Sequence, residues 1–568
     1  MRYTAHPNWC ATLSLSSSAV FLLLLVFSMN IRHISVLVAG ALLLLVAINL
    51  FFASPAEPDL TRSETLTTVA DTPSGLTEGA KLTATVATRE PASFYLSSLY
   101  DLKLENLKIA PPEDRPVGSG GALAVIDGSR ILLADRVGQF YLLNFDNGIS
   151  SITLLEQLRA PLNLDAFQED NKKTDSRNFR VTDILLEGLD TDEIYTIYMS
   201  HHLWNKKEKC FTLSVSEAQL NMNSLNSPVD WHNRFNTTPC LPGRRVTVES
   251  GGRMATLAPD TLLVTVGIML DKGKYWGMAA NDSFSYGKII KLDKTTWESK
   301  VLTKGHRNPQ GLLVDDGKIW STEHGPQGGD ELNLIIPGED YGWPTSSYGM
   351  DYFTKLLKGS DTPGEHSLGV RPVFAWVPSV AVSNLIKLEG SGFPLWRNDF
   401  LVGSLRGGGN GNSLFRVRLH DGAVRVNERI PSGFNIRDLV EMPNGYLVLW
   451  DGKNNLQTIT PTSQSFSTCT GCHTLFEGWP GGIGPNLFGV VGRPVGAIDD
   501  YEYSSAMKKL TGNWTREQLD EFLRDPQHFA PGTSMEIDGI EDANERREII
   551  DRLQNPLQSV LDVKTPGN

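Results

Sequence analysis

Five residues near the C-terminus, Cys469-Thr470-Gly471-Cys472-His473, constrain this chain more than any other stretch. Two thiols at this spacing, followed at once by an imidazole, form the attachment site of a c-type haem. Cys469 and Cys472 take the haem vinyl groups, and the adjacent His473 is held against the iron as an axial ligand. A zinc site needs further Cys or His ligands close by, and no second cysteine pair exists. A thioredoxin-type motif needs a βαβ setting, which the flanking sequence does not provide.

The residues after the motif turn helical. Thr515-Arg516-Glu517-Gln518 has the form of a capping box, and Leu519, Phe522 and Leu523 follow as an apolar stripe. Asp542 to Leu553 repeats that design, with a stripe of Ile549, Ile550 and Leu553. The run GPNLFGVVGRPVGAIDDYEYSSAMKKLTGNWTREQLDEFLRDPQHFAPGTSM resembles class I cytochrome c over nearly the whole segment. The resemblance implies that Met535 is the second ligand of the haem iron and that Pro485 supports His473. It also implies that Arg493, Tyr501, Tyr503 and Trp514 stand near the haem propionates. With both axial positions filled by His and Met, such an iron passes electrons and does no substrate chemistry.

From residue 109 to about 460 the pattern is β. Short apolar runs of period two are broken by Asp127-Gly128, Asp316-Gly317, Asp421-Gly422 and Asn444-Gly445, pairs that tolerate the positive φ of tight turns. A strand-turn-strand-loop unit recurs with turns near 127, 260, 316 and 444, the outer two intervals about double the middle one. Repeats at such a period suggest propeller blades, and six would fill the segment. A sandwich or two smaller β domains is the alternative.

Residues 305–344, GHRNPQGLLVDDGKIWSTEHGPQGGDELNLIIPGEDYGWP, resemble the glucose/sorbosone dehydrogenases, the quinoprotein sugar dehydrogenases. AWVPSVAVSNL, FLVGSLRGG and NIRDLVEMPNGYLVLWDG extend the likeness more weakly. The resemblance implies a six-bladed propeller carrying pyrroloquinoline quinone (PQQ) and a calcium ion, Ca2+, on one face. Gly325 and Pro326 would offer backbone carbonyls to the calcium. Arg307, Asn308, Gln310 and His324 would line the quinone, and Ser379, Arg406 and Arg437 would meet its polar edge. PQQ is a tricarboxylate, and guanidinium forks pair well with carboxylates. Asp330, Glu331 and Tyr341 belong to the same motif and would serve a structural metal or the loop itself.

Three departures stand out. The family's base is a His just before a Gly-Gly-Arg turn, and this chain reads Val248-Glu249-Ser250-Gly251-Gly252-Arg253-Met254. Glu249 is the nearest aligned group able to take a hydroxyl proton; Ser250, one place on, could not do so unaided. Asn435 stands where glucose dehydrogenases carry an Arg, and Arg406 replaces a Lys.

The first 53 residues differ from the rest. Ala11 to Met29 and Ile34 to Ala53 are apolar runs, and the second is long enough to cross a bilayer. They form either a helical hairpin or, if Met29 is the start, a single anchor; a cleavable signal is the rival. Arg32 belongs on the cytoplasmic side, which exports everything after Ala53. Cys210 and Cys240 lie in the exported body, where an oxidising compartment permits a disulfide. A net charge of -13 argues against nucleic acid as a partner.

The expected organisation is therefore a membrane anchor or signal over 1–53 and a low-complexity linker over 54–108. An all-β six-bladed propeller over 109–461, a small all-α cytochrome c domain over 462–554 and a tail over 555–568 complete it. The expected function is a quinohaemoprotein oxidoreductase at the bacterial inner membrane, its two domains periplasmic. It would oxidise a sugar or alcohol at PQQ and pass electrons through haem c to a respiratory acceptor. The alternative is a non-catalytic binding or scaffold propeller with the cytochrome as an electron relay.

Overall fold

The structure is a computed structural model. It describes residues 64–66, 83–84 and 87–554, except 110–118, 147, 175, 190–192, 226, 244–248, 270–276, 353–354, 358–363, 406–409, 463–468, 470–471, 476, 479, 536 and 538. The two N-terminal apolar runs and the 555–568 tail lie outside the described residues. No helix among the described residues is long and apolar enough to cross a membrane.

Six antiparallel sheets make the six blades of a propeller. Their innermost strands are Gly121–Val125, Val181–Leu189, Gly251–Ala258, Pro309–Asp315, Val382–Lys387 and Asp438–Glu441. Turns near 127, 260, 316 and 444 join the first and second strands of blades one, three, four and six. The doubled intervals are blades two and five, whose corresponding connections carry no comparable apolar-turn-apolar signature. Asp316 and Gly317 both have positive φ (46° and 70°), as do Asp421 and Gly422 (52° and 72°), so the two Asp-Gly pairs are the tight hairpin turns expected of them.

The strands are apolar where they face neighbouring blades. Leu132, Phe140, Val181, Ile197, Phe211 and Val264 share one fully buried cluster spanning blades one to three. Leu401, Leu414, Ile436, Leu439 and Leu449 do the same between blades five and six. In blade two Cys210 and Cys240 form a disulfide, their Cα atoms 5.6 Å apart.

The expected linker over 54–108 needs correction. Its last part supplies Asp101–Ile109, the outer strand of blade six, paired from Leu102↔Pro461 to Lys108↔Asn455. Leu102, Leu104, Leu107 and Ile109 are buried on it. Strands Ala87–Arg89 and Ser93–Leu96 also join this sheet. The ring is thus closed by an early strand lying beside the last blade.

After the propeller comes a small helical part. Helix Arg516–Arg524 begins with the predicted capping box at Thr515, and Leu519, Phe522 and Leu523 are its buried face. Helix Ala543–Gln554 buries Ile549, Ile550 and Leu553 against it.

Candidate functional site

All six innermost strands begin at one end of the propeller, and the residues just before or at these starts converge there. Gly120, Arg180, Thr182, Gly251, Arg253, Gln310 and Arg437 line a small hollow. Three buried guanidiniums set its character. Arg253 is matched by carboxylates: its Nη1 lies 2.7 Å from Asp183 and 3.0 Å from Asp438. Arg180 and Arg437 donate to neutral oxygens, and the Glu249 charge also acts on Arg180. Arg180 donates to the Ser119 carbonyl at 3.2 Å and to Ser250 Oγ at 3.1 Å. Arg437 donates to Gln310 Oε1 at 3.0 Å. Burial pulls the Arg180 guanidinium down to about 10. Burial, and then the nearby charges of Arg180 and Arg253, pulls Arg437 well below its ordinary value. Cations held this way in low dielectric call for an anion.

A hydrogen-bond chain runs across the hollow. Arg437 holds Gln310, Gln310 Nε2 donates to Asn308 Oδ1 at 2.8 Å, and Asn308 Oδ1 also accepts from Gly251 N–H at 3.2 Å. Arg307 stands beside Asn308, its guanidinium 5.5 Å from the Trp343 ring centroid and 3.5 Å from Glu249 Oε1. Glu323 anchors this segment, accepting from the backbone N–H of Arg307 and Asn308 and from His306 Nδ1.

Glu249 is 8% exposed, and its Oε2 has no hydrogen-bond partner. Its backbone is fixed on both sides of the carbonyl. Met269 N–H donates to that carbonyl at 2.8 Å, and Gly251 and Gly252 turn the chain with φ of 62° and 99°. A Cβ at Gly252 would stand 2.2 Å from Thr182 Oγ1, so this turn has room only for glycine.

His324 donates from Nε2 to the Val382 carbonyl. Burial lowers its pKa, with Arg307 and Arg437 adding to the effect. Gly325 N–H donates to Asp330 Oδ1 at 3.0 Å, and the other oxygen of Asp330 accepts from Val380 and Ala381. The Pro326 carbonyl accepts from the Tyr352 hydroxyl at 3.1 Å. Two successive carbonyls are suitable calcium donors, and a cation on Pro326 would have to share or displace that hydroxyl.

In the haem motif Cys472 and His473 N–H both donate to the Cys469 carbonyl. His473 Nδ1 donates to the Pro485 carbonyl at 2.7 Å, which leaves Nε2 for a metal. Gly484 makes room for the ring: a Cβ there would lie 2.3 Å from His473 Cε1. Met535 packs on the same apolar cluster as Cys469, Leu475, Val490 and Trp514. Gln527 steadies the loop before it, donating to the Thr533 carbonyl at 3.0 Å and accepting from Gly532 N–H at 3.3 Å. Arg493 is tied to the Asn486 and Phe488 carbonyls, and Tyr501 and Tyr503 meet edge to face.

A sequence profile of the glucose/sorbosone dehydrogenases matches residues 122–459, more than half the chain and every blade. This chain belongs to that family. Among relatives of the glucose/sorbosone dehydrogenase part, an uncharacterized protein of Synechocystis sp. is 31% identical over 252 residues, 40% of this chain and 59% of that protein. The aldose sugar dehydrogenase YliI of Escherichia coli is 33% identical over 154 residues, 26% and 40% of the two chains. The C-terminal part is similar to a cytochrome c homolog of Rickettsia prowazekii, 42% identical over 87 residues, 15% and 50% of the two chains. The chain spans about half the length of the curated relatives it matches.

Of the site residues expected of a glucose/sorbosone dehydrogenase, the structure brings together Glu249, Arg307, Asn308, Gln310 and Arg437. Ser379 is half-buried in the loop entering blade five, apart from this hydrogen-bond chain. Arg406 lies outside the described residues. Asn435, in place of an Arg, leaves its Oδ1 buried without a partner. Sequence reasoning missed Arg180, Arg253 with its two aspartates, and Gln527. A signal for Arg180 existed: Asn178-Phe179-Arg180 repeats the form of Asn435-Ile436-Arg437, each directly before an innermost strand.

Proposed function

We propose that this chain is a quinohaemoprotein dehydrogenase that oxidises an alcohol group of a sugar or related substrate in the propeller hollow. The observation that carries this reading is Glu249 Oε2, a buried carboxylate oxygen without a partner, standing in a pocket of buried arginines. A tricarboxylate suits Arg180, Arg307 and Arg437, so the donor set fits PQQ. PQQ bound there supplies a two-electron oxidant. Glu249 takes the substrate hydroxyl proton, the role the family gives to a His. Arg307 orients that carboxylate and faces charge developing on the substrate oxygen. The Gly325 and Pro326 carbonyls would hold a calcium ion, with the Tyr352 hydroxyl giving way.

Cys469 and Cys472 would hold a haem c and His473 and Met535 would ligate its iron, and the group would supply one-electron transfer towards a respiratory acceptor. Fusion keeps such a carrier at high local concentration. The Cys210–Cys240 disulfide supports an oxidising compartment. The apolar N-terminus supports an inner-membrane anchor with the domains in the periplasm.

The test is reconstitution with PQQ and calcium, following haem absorbance across a panel of aldoses and alcohols. Glu249→Gln is expected to lower turnover about 10²–10⁴-fold while PQQ still binds. A protein that binds no PQQ and shows no substrate-linked haem reduction returns the propeller to a scaffold role. Full activity in Glu249→Gln places the base elsewhere.

A further inference from the structure

The strand register places the helical part against the end of blade six opposite the hollow. The innermost strand starts at the hollow with Asp438, paired with Trp450, and ends at Glu441, paired with Leu447. Leu447 pairs with Ile459, and Pro461 beyond it with Leu102. Asp101 therefore begins its strand at the end remote from the hollow.

Asp101 holds the cytochrome part from both sides. Its carbonyl accepts from Thr462 N–H at 2.8 Å, and only residues 463–468 separate Thr462 from Cys469. Its Oδ2 lies 2.7 Å from Nη1 of Arg552, on the last helix. Strand Ser93–Leu96 pairs with Asp101–Ile109, with Leu96 opposite Asp101 and Phe94 opposite Lys103. The period of two puts Phe94 and Asp101 on one face of this hairpin, and the Arg552 guanidinium stands 5.7 Å from the Phe94 ring centroid.

The pair is largely out of water, with the Arg552 and Asp101 side chains 3% and 11% exposed. Asp101 Oδ1 is buried without a hydrogen-bond partner, so the carboxylate charge is set against Arg552 and not spread over other side-chain donors. Helix Ala543–Gln554 sends Ile549, Ile550 and Leu553 into the apolar cluster on which Cys469 and Met535 pack. Leu553 directly follows Arg552, so the ion pair borders the surroundings of the haem-attachment thiol. Both charges are felt there. Burial pushes the Cys469 thiol up to about 11, with Arg552 acting downward and Asp101 upward.

A haem iron gains an electron on reduction, so a nearby cation favours the ferrous state and a nearby anion the ferric state. Buried charges act through a low dielectric and are screened little by salt. We propose that blade six forms one wall of the haem site, and that Asp101 and Arg552 are a matched pair of opposite charges that sets the haem midpoint potential. This rests on haem attachment at Cys469 and Cys472 and is independent of what the propeller oxidises.

The test is redox titration of the full-length, haem-bearing protein, without PQQ or substrate. Asp101→Asn leaves the Arg552 charge uncompensated and should raise the midpoint potential. Arg552→Gln leaves the Asp101 charge uncompensated and should lower it. Each shift is expected to be about tenfold in the ferrous-to-ferric equilibrium, which is about 59 mV for one electron. The double variant should return close to wild type, and both single shifts should persist at high salt. A loosened interface would admit water to the haem and move both single variants in the same direction. Shifts of the same sign, or an unchanged potential in either variant, therefore overturn the proposal. Asp101→Glu keeps the charge and should keep the wild-type potential; a shift as large as that of Asp101→Asn makes the effect one of packing and overturns it too. A protein that attaches no haem fails the cytochrome reading, and the proposal with it.

Discussion

At the scale of single residues, the hollow trades stability for binding. Arg437 is buried beside two other guanidiniums, and among the described residues it donates to neutral partners, Gln310 and Ser119. Without an anion it costs the fold energy; with a tricarboxylate it becomes a charge-assisted donor. Arg437→Gln is therefore expected to weaken PQQ binding about 10–100-fold, while the unloaded protein gains about 1 kcal/mol. Titration of PQQ binding and thermal melting of the unloaded protein check the two halves. Arg437 was legible through family resemblance, and Glu249 through its place before Gly251-Gly252-Arg253. Arg180 was not, because the runs that carry the likeness lie from residue 305 onward and a lone Arg in a sequence reads as a solvated surface residue.

At the scale of elements, strand Ile194–Asn205 of blade two carries two adjacent buried histidines. His201 is fully buried between Ser216 Oγ and the His202 carbonyl, and burial lowers its pKa to about 4. His202 is also held well below its ordinary value, by burial and then by Arg180. The unfolded chain takes up these protons near the ordinary histidine value, and the folded strand refuses them. Stability is then complete above about pH 6.5 and falls as pH drops towards 4. His201 alone should cost about 2 kcal/mol between pH 7 and pH 5, seen by urea unfolding, and His201→Gln should flatten that part of the slope. The tight turns at Asp316-Gly317 and Asp421-Gly422 were readable because their chemistry is local. The closing strand Asp101–Ile109 was not assigned to the propeller, although Leu102, Leu104, Leu107 and Ile109 pattern it. The strand that completes its sheet lies about 350 residues later, and no local pattern announces that pairing.

At the scale of the whole molecule, one buried knot joins every blade. Arg253 of blade three binds Asp183 of blade two, Asp438 of blade six and the Gln310 carbonyl of blade four. Asp438 also accepts from Leu123 N–H of blade one and from Asn384 of blade five. Removing one member of such a set leaves its partners as uncompensated buried charge, so Asp438→Ala should cost about 3–5 kcal/mol. Chemical denaturation of the variant against wild type measures this, and a loss under about 1 kcal/mol would show the blades hold without the knot. The sequence could announce six blades, because repeats are visible one at a time. It could not announce the knot, whose members come from separate repeats and meet only in the folded ring. The closing strand has a further consequence for how the molecule is born. Asp101–Ile109 leaves the ribosome early and must wait for Asn455–Pro461 before its ladder can form, so ring closure is a late, long-range event. Until then the last blade presents a bare strand edge. A chain shortened to begin after residue 109 would keep that edge permanently, and a second molecule's spare strand would be its natural lid.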